Sequence, residues 1–247
     1  MPETIDHDTW NYSLPKTPRA PQIDLGDIHG TLPFDGVRNP SSRSSMSQKV
    51  IFGYRTRASG IKRKVGMAES AVEAAVALEA LMAETTYDLE FQPLKVFYTG
   101  DDGRKVPYTH DLRITSNTGH RRMVFVRHDH SLSKPSTERE IAAIVKATPR
   151  SEANDLVVAN AVDYPRQRRD NLFRMHRFVL EPDPEADEIV WEVAQRRRPY
   201  LMRDLFPVAP IQQRRVFAAC HRLVARKRMQ ANLNHVLWEH SRLELAA

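Results

Sequence analysis

Between Glu69 and Ala83 the chain is rich in Ala and Leu and free of Gly and Pro, and Ala71, Ala75, Leu78 and Met82 recur at helical spacing. That pattern predicts a helix, with Glu69 and Glu73, four apart, sharing another face. After Thr85-Thr86 the period shortens. Leu94-Lys95-Val96-Phe97-Tyr98 and Asp111-Leu112-Arg113-Ile114-Thr115 alternate in part, and turn signals follow at Thr99–Gly103 and Ser116–Gly119, so both read as strands. Met123-Val124-Phe125-Val126 is an unbroken apolar run, as expected of a central strand covered on both faces. Thr137 and Glu140 make a capping-box pattern ahead of Ile141, Ile144 and Val145, and Asp155–Ala159 reads as one more buried strand. The predicted order is helix, three-stranded meander, helix, strand. It implies an α/β layer closing in a parallel pair.

The flanks have other patterns. Residues 1–48 hold scattered prolines and a Ser-rich close, with no lasting period, and are expected to be a flexible arm. Its Trp10, Tyr12 and Phe34 are either docking anchors or locally packed rings. Beyond residue 180 the chain reads as helical and basic: Arg196-Arg197-Arg198 precedes Pro199, and Arg226-Lys227-Arg228 closes a helix over Ile211–Ala225, where cations suit the dipole. The expected division is therefore an arm (1–48), an α/β domain (49–180) and a C-terminal module (181–247).

Lys and Arg number 37 against 31 Asp and Glu, a net charge of +6 and a pI near 9.5. Such an excess favours polyanion partners. Lys62, Arg63 and Lys64, together with the triplets at 196–198 and 226–228, are the candidate DNA contacts, although a charged run is as often a solvated face. No apolar run is long enough for a membrane span. The N-terminus lacks a secretory pattern, and the lone Cys220 excludes an internal disulfide or a Cys-based zinc cluster. A cytoplasmic protein with no membrane partner is expected. His110, His128 and His130 resemble a zinc set, but a structural role outweighs that reading. Phosphate-binding glycine loops and a nucleophile elbow are absent.

Glu69-Ser70-Ala71-Val72-Glu73, then Gln92-Pro93, then Tyr108-Thr109-His110-Asp111-Leu112 occur in the order of the TnsA transposon endonuclease pattern. Over roughly residues 65–180 the chain resembles that family, reaching Asn171-Leu172. The resemblance implies a restriction-endonuclease-like core followed by a winged-helix module, for which a helical hairpin closing the core is the alternative. It also implies a metal site for Mg²⁺, with Mn²⁺ as substitute, in which Glu73 and Asp111 are ligands. Metal there would neutralise phosphate charge and activate water. Where the family carries Glu-x-Lys or Gln-x-Lys, this chain has Phe125-Val126-Arg127. Phenylalanine cannot ligate. Arg127 retains a charge for phosphate but does not deprotonate. If the strand continues, Asp129 shares the parity of Arg127 and is a replacement ligand.

Two functions compete on these residues. One is metal-dependent DNA cleavage at mobile-element ends, alongside a transposase, with Glu73, Asp111 and Arg127 as the catalytic set. The other is a DNA-binding or assembly scaffold whose site is lost; Phe125→Glu with Arg127→Lys would then rebuild the motif. A transcription regulator using the C-terminal helices leaves the ordered family motifs unexplained.

Overall fold

A computed structural model describes residues 29–38 and 49–246. Among them the fold is mixed α/β, with six helices and mixed sheets. Strands β2 (Val50–Tyr54) and β3 (Arg63–Ala68) form an antiparallel hairpin, and β1 (Thr31–Leu32) adds to β3 in parallel. Part of the expected arm is thus ordered: β1 pairs there, and Val37 N–H donates to the Gln92 carbonyl at 2.9 Å. Phe34 packs locally against the core. Trp10 and Tyr12 lie outside the described residues. Gly66 in β3 has no side chain because a Cβ there would sit 2.7 Å from the Phe91 ring.

Helix α1 (Ala71–Met82) lies where the Ala/Leu pattern predicts it. It is followed by β4 (Thr86–Phe91), the hairpin β5 (Lys95–Thr99) and β6 (Lys105–Thr109), and then β7 (Leu112–Ser116) and β8 (Arg121–Arg127). The first strand of the meander is β4, not Leu94–Tyr98. That segment pairs with β6 in a sheet of its own. Asp88-Leu89-Glu90-Phe91 carries the correct signal, since Leu89 and Phe91 alternate inward and are fully buried.

The short helix α2 (Asp129–Leu132) and α3 (Pro135–Ala147) lead to β9 (Asp155–Asn160), which pairs in parallel with β8. The sheet order is β4-β7-β8-β9. Helix α3 starts ahead of the expected capping box, with Pro135 in its first turn, where a missing N–H costs nothing. Thr137 is buried inside the helix, and Glu140 accepts the Tyr98 hydroxyl at 3.1 Å. Successive β8 residues face opposite sides: Val124 joins α1 and Leu112, whereas Phe125 joins Ile144 of α3 and Val96.

Helices α4 (Arg166–Leu180), α5 (Pro184–Arg197) and α6 (Gln213–Ala225) precede a small antiparallel pair, β10 (Met229–Gln230) with β11 (Glu244–Leu245). One apolar core runs from Ala75 and Leu78 of α1 through Leu172 and Met175 of α4 to Val190, Val216 and Leu223. It crosses the expected boundary at residue 180. The segment between β10 and β11 is made of turns, and buried Asn171 holds it. The Asn171 Nδ2 donates to the Leu233 and His235 carbonyls at 2.9 and 2.6 Å, and its Oδ1 accepts the Leu237 N–H at 2.9 Å. No described helix is long and apolar enough to cross a membrane.

Candidate active site

Ser70 caps α1: its hydroxyl accepts the Glu73 N–H at 3.1 Å, while Glu73 Oε2 accepts the Glu69 N–H at 2.9 Å. The Ser70 bond satisfies a helix-end donor, and the bond from the residue before the cap fixes the Glu73 rotamer. The other oxygen, Oε1, is buried with no hydrogen-bond partner. Burial pushes the Glu73 carboxyl well above the usual range, and the nearby Asp111 charge pushes it further.

Asp111 opens β7 from a braced position. Gln92, directly after β4, adopts a left-handed backbone (φ 48°), and its N–H donates to the Asp111 carbonyl at 2.9 Å. The Gln92-Pro93 pair therefore lies in the short link between β4 and β5. A non-glycine residue in this region is strained, and the result here is a fixed start for β7. His110 on the other side is fully buried, with Nε2 2.9 Å from the Thr148 hydroxyl at the end of α3. Asp111 Oδ2 accepts the Val126 N–H at 2.9 Å. Burial raises its pKa to about 6, against the lowering effects of the Val126 N–H and the Arg127 charge.

Arg127 closes the arrangement. Its guanidinium lies 3.9 Å from the Phe125 ring centre, donates to the Val126 carbonyl at 2.9 Å and stands 3.9 Å from Asp111 Oδ2. Glu73, Asp111 and Arg127 line one cleft of about 410 Å³ with Glu69, His128 and Ser131. Asp129 is not among its lining residues. The strand ends at Arg127, Asp129 starts α2, and its carboxylate accepts Asn160 Nδ2 at 3.0 Å. Phe125 is fully buried on the α3 side, its ring 5.5 Å from that of Tyr108. Among the described residues no three His, Cys, Asp or Glu side chains converge as a metal set; His110 is buried against Thr148, whereas His128 lines the cleft.

The chain matches no family model and no curated protein.

The candidate DNA contacts divide by burial. Lys64 is inside the fold, its ammonium 3.3 Å from Asp35, 3.6 Å from Asp88 and 3.3 Å from the Leu89 carbonyl. It braces strands and cannot reach a phosphate. Arg226 is committed to buried Asp187 at 2.7 Å, and Arg228 stacks 4.4 Å over Trp191 while pairing with Glu188. Arg196 pairs with Glu192 on its own helix. Lys62, Arg63, Arg197, Arg198 and Lys227 are exposed.

Two cations at the acid cluster have no sequence signal. Arg38 pairs with Glu69, and Lys49 Nζ donates to the Glu69 carbonyl at 3.1 Å. Arg38 lies in the segment read as an arm and Lys49 directly follows it, and only the tertiary fold brings them to the acids.

Proposed function

We propose that this chain is a DNA-binding protein with the restriction-endonuclease-like core of the TnsA family, acting at mobile-element ends beside a transposase. The observation that supports this most is the meeting of Glu73, Asp111 and Arg127 in one cleft. A capped-helix Glu, a strand-opening Asp and a cation at the end of the next strand are three parts of the family motif; its Glu or Gln ligand is replaced by Phe125. The order of α1, β4, β7, β8, α3 and β9 supports the core as well. Beyond it, α5, the Leu201–Arg242 bridge, α6 and the β10–β11 pair support a winged-helix-like module.

The donor set fits one hard divalent cation. Glu73 Oε1 is buried without a partner, and the Asp111 carboxyl is desolvated. Two carboxylates with water and substrate phosphate are an ordinary Mg²⁺ shell. Bound there, Mg²⁺ or Mn²⁺ would neutralise phosphate charge and acidify a water. The chain's own residues do the rest. Glu73 and Asp111 hold their carboxylates in fixed rotamers, and Arg127 offers guanidinium N–H groups to a phosphate oxygen. His128 also lines the cleft. Nicking of supercoiled plasmid with Mg²⁺ or Mn²⁺ tests this. Activity should be lost in Asp111→Ala and in Glu73→Gln, with DNA still retained. Nicking that persists in both variants would overturn the assignment.

A second reading, a non-catalytic DNA-binding or assembly scaffold, is favoured by Phe125. Its side chain is buried in the core beneath α3, with Val96 and Ile144, and offers no metal ligand. DNA retention with no nicking and no metal uptake would select it.

A further inference from the structure

Leu237 is fully buried, its N–H bound by Asn171 and its carbonyl by the Arg174 guanidinium at 2.7 Å. The next residue, Trp238, turns outward and is 51% exposed. Its N–H donates to the Ser241 hydroxyl at 3.0 Å. A large ring is therefore held in solvent by a rigid support. Its edge contacts His240 at 4.5 Å between ring centres, and Arg203 Nη1 lies 3.0 Å from His240 Nδ1. Across the backbone pairing of Leu201 with Arg242, the Arg242 guanidinium lies 5.1 Å over the ring of Tyr200, which is 61% exposed.

The result is a strip of Trp238, His240, Arg203, Arg242 and Tyr200, with exposed rings at both ends and arginines between. Exposed Arg197 and Arg198 lead into it. Three acids lie near. Asp204 is exposed and accepts the N–H groups of Tyr200 and Leu201, Glu239 faces His240, and Glu244 pairs with Arg242 at 3.0 Å. The last is a surface pair that contributes little and that a phosphate can replace. With Arg197 and Arg198 counted, four exposed arginines stand against these three acids.

We propose that this strip is a stacking platform for single-stranded DNA, with unpaired bases on Trp238 and Tyr200 and phosphates on Arg203 and Arg242. The proposal rests on the DNA-binding reading above and adds the form of DNA. Stacking on a surface ring needs a base whose face is free, which a strand has and a duplex interior lacks. Aromatic rings interleaved with cations are the combination such strands use, with little dependence on sequence.

The test is fluorescence anisotropy of the full chain with a labelled oligothymidylate and, separately, a duplex of equal length. Trp238→Ala and Tyr200→Ala should each weaken single-strand binding about five- to a hundredfold. Duplex binding should stay within about twofold, and Trp238→Phe, which keeps a ring, should recover most of the loss. Circular dichroism checks that the fold is retained. Wild-type single-strand affinity in both alanine variants would overturn the platform, as would equal losses on strand and duplex. A wild-type chain that binds duplex but no single strand overturns the platform alone. A wild-type chain that binds neither overturns the DNA-binding reading and the platform with it.

Discussion

Asp111 Oδ2 accepts the backbone N–H of Val126 at 2.9 Å, so the acid that opens β7 is tied to the end of β8. The bond holds one oxygen in place and leaves the rest of the carboxylate to the cleft. Asp111→Asn should keep the acceptor and change stability little near pH 4, where the acid is still protonated in the fold. Asp111→Ala orphans the Val126 N–H and should cost about 1–3 kcal/mol in urea unfolding. Both variants should lose the heat of Mg²⁺ binding in calorimetry while DNA affinity stays within a few-fold. Undiminished heat in Asp111→Asn would rule out this residue as a ligand.

The acid pair should leave a mark on stability as a function of pH. Asp111 is raised to about 6 and Glu73 well above its usual value, so the native state holds more protons than the unfolded chain from about pH 4 upward. Their contribution therefore falls as pH rises through that window. Buried His110, His176 and His221 act in the opposite sense. Burial lowers each to about 4, so their contribution grows between about pH 4 and 6.5. The double variant Asp111→Asn, Glu73→Gln should gain stability over wild type progressively from pH 4 to 7 in chelator-containing buffer. A difference that shrinks with pH would contradict the burial of the pair. Imidazole proton resonances of the three histidines should stay neutral-like down to about pH 4.

Rebuilding the family motif by Phe125→Glu with Arg127→Lys should fail. Phe125 is fully buried against Tyr108, Val96 and Ile144, on the side of the sheet covered by α3. Removing such a ring costs about 3–5 kcal/mol, and an unpaired carboxylate there adds to the loss. The double variant is expected to unfold at lower urea concentration and to gain no Mg²⁺ heat. A folded variant that binds metal more tightly would show that β8 can change register.

Asp187, Arg222 and Arg226 form a buried ionic cluster between α5 and α6, with both guanidinium contacts to Asp187 at 2.7 Å. Arg222 and Asp187 are each 2% exposed. Arg222→Met strips a buried carboxylate of its main partner and should destabilise by about 3–5 kcal/mol. Arg226→Met should cost less, because that guanidinium is over a third exposed. It should also leave the salt dependence of DNA binding unchanged, since Arg226 serves the core. A shallower salt slope in Arg226→Met would return it to the DNA contacts.

The sequence by itself determined α1, β7, β8, β9 and their order from period or apolar runs, although β9, read as a buried strand, is a half-buried edge strand with Val158 exposed. It also pointed to Glu73 and Asp111 through the ordered motifs. Only the tertiary structure decided what surrounds them. Alternation in Leu94–Tyr98 and in Asp88–Phe91 is equally good locally, and the choice of β4 as meander strand depends on pairing with β7, a contact remote in sequence. The parity argument for Asp129 presumes a continuing strand, whereas a helix begins there and turns its carboxylate to Asn160. Charge counts behave likewise: Lys64 and Arg226 read as surface cations, yet acids from distant segments engage both, and Lys64 is buried. Periodicity reports which face of a segment is buried; which partner buries it is settled by long-range packing.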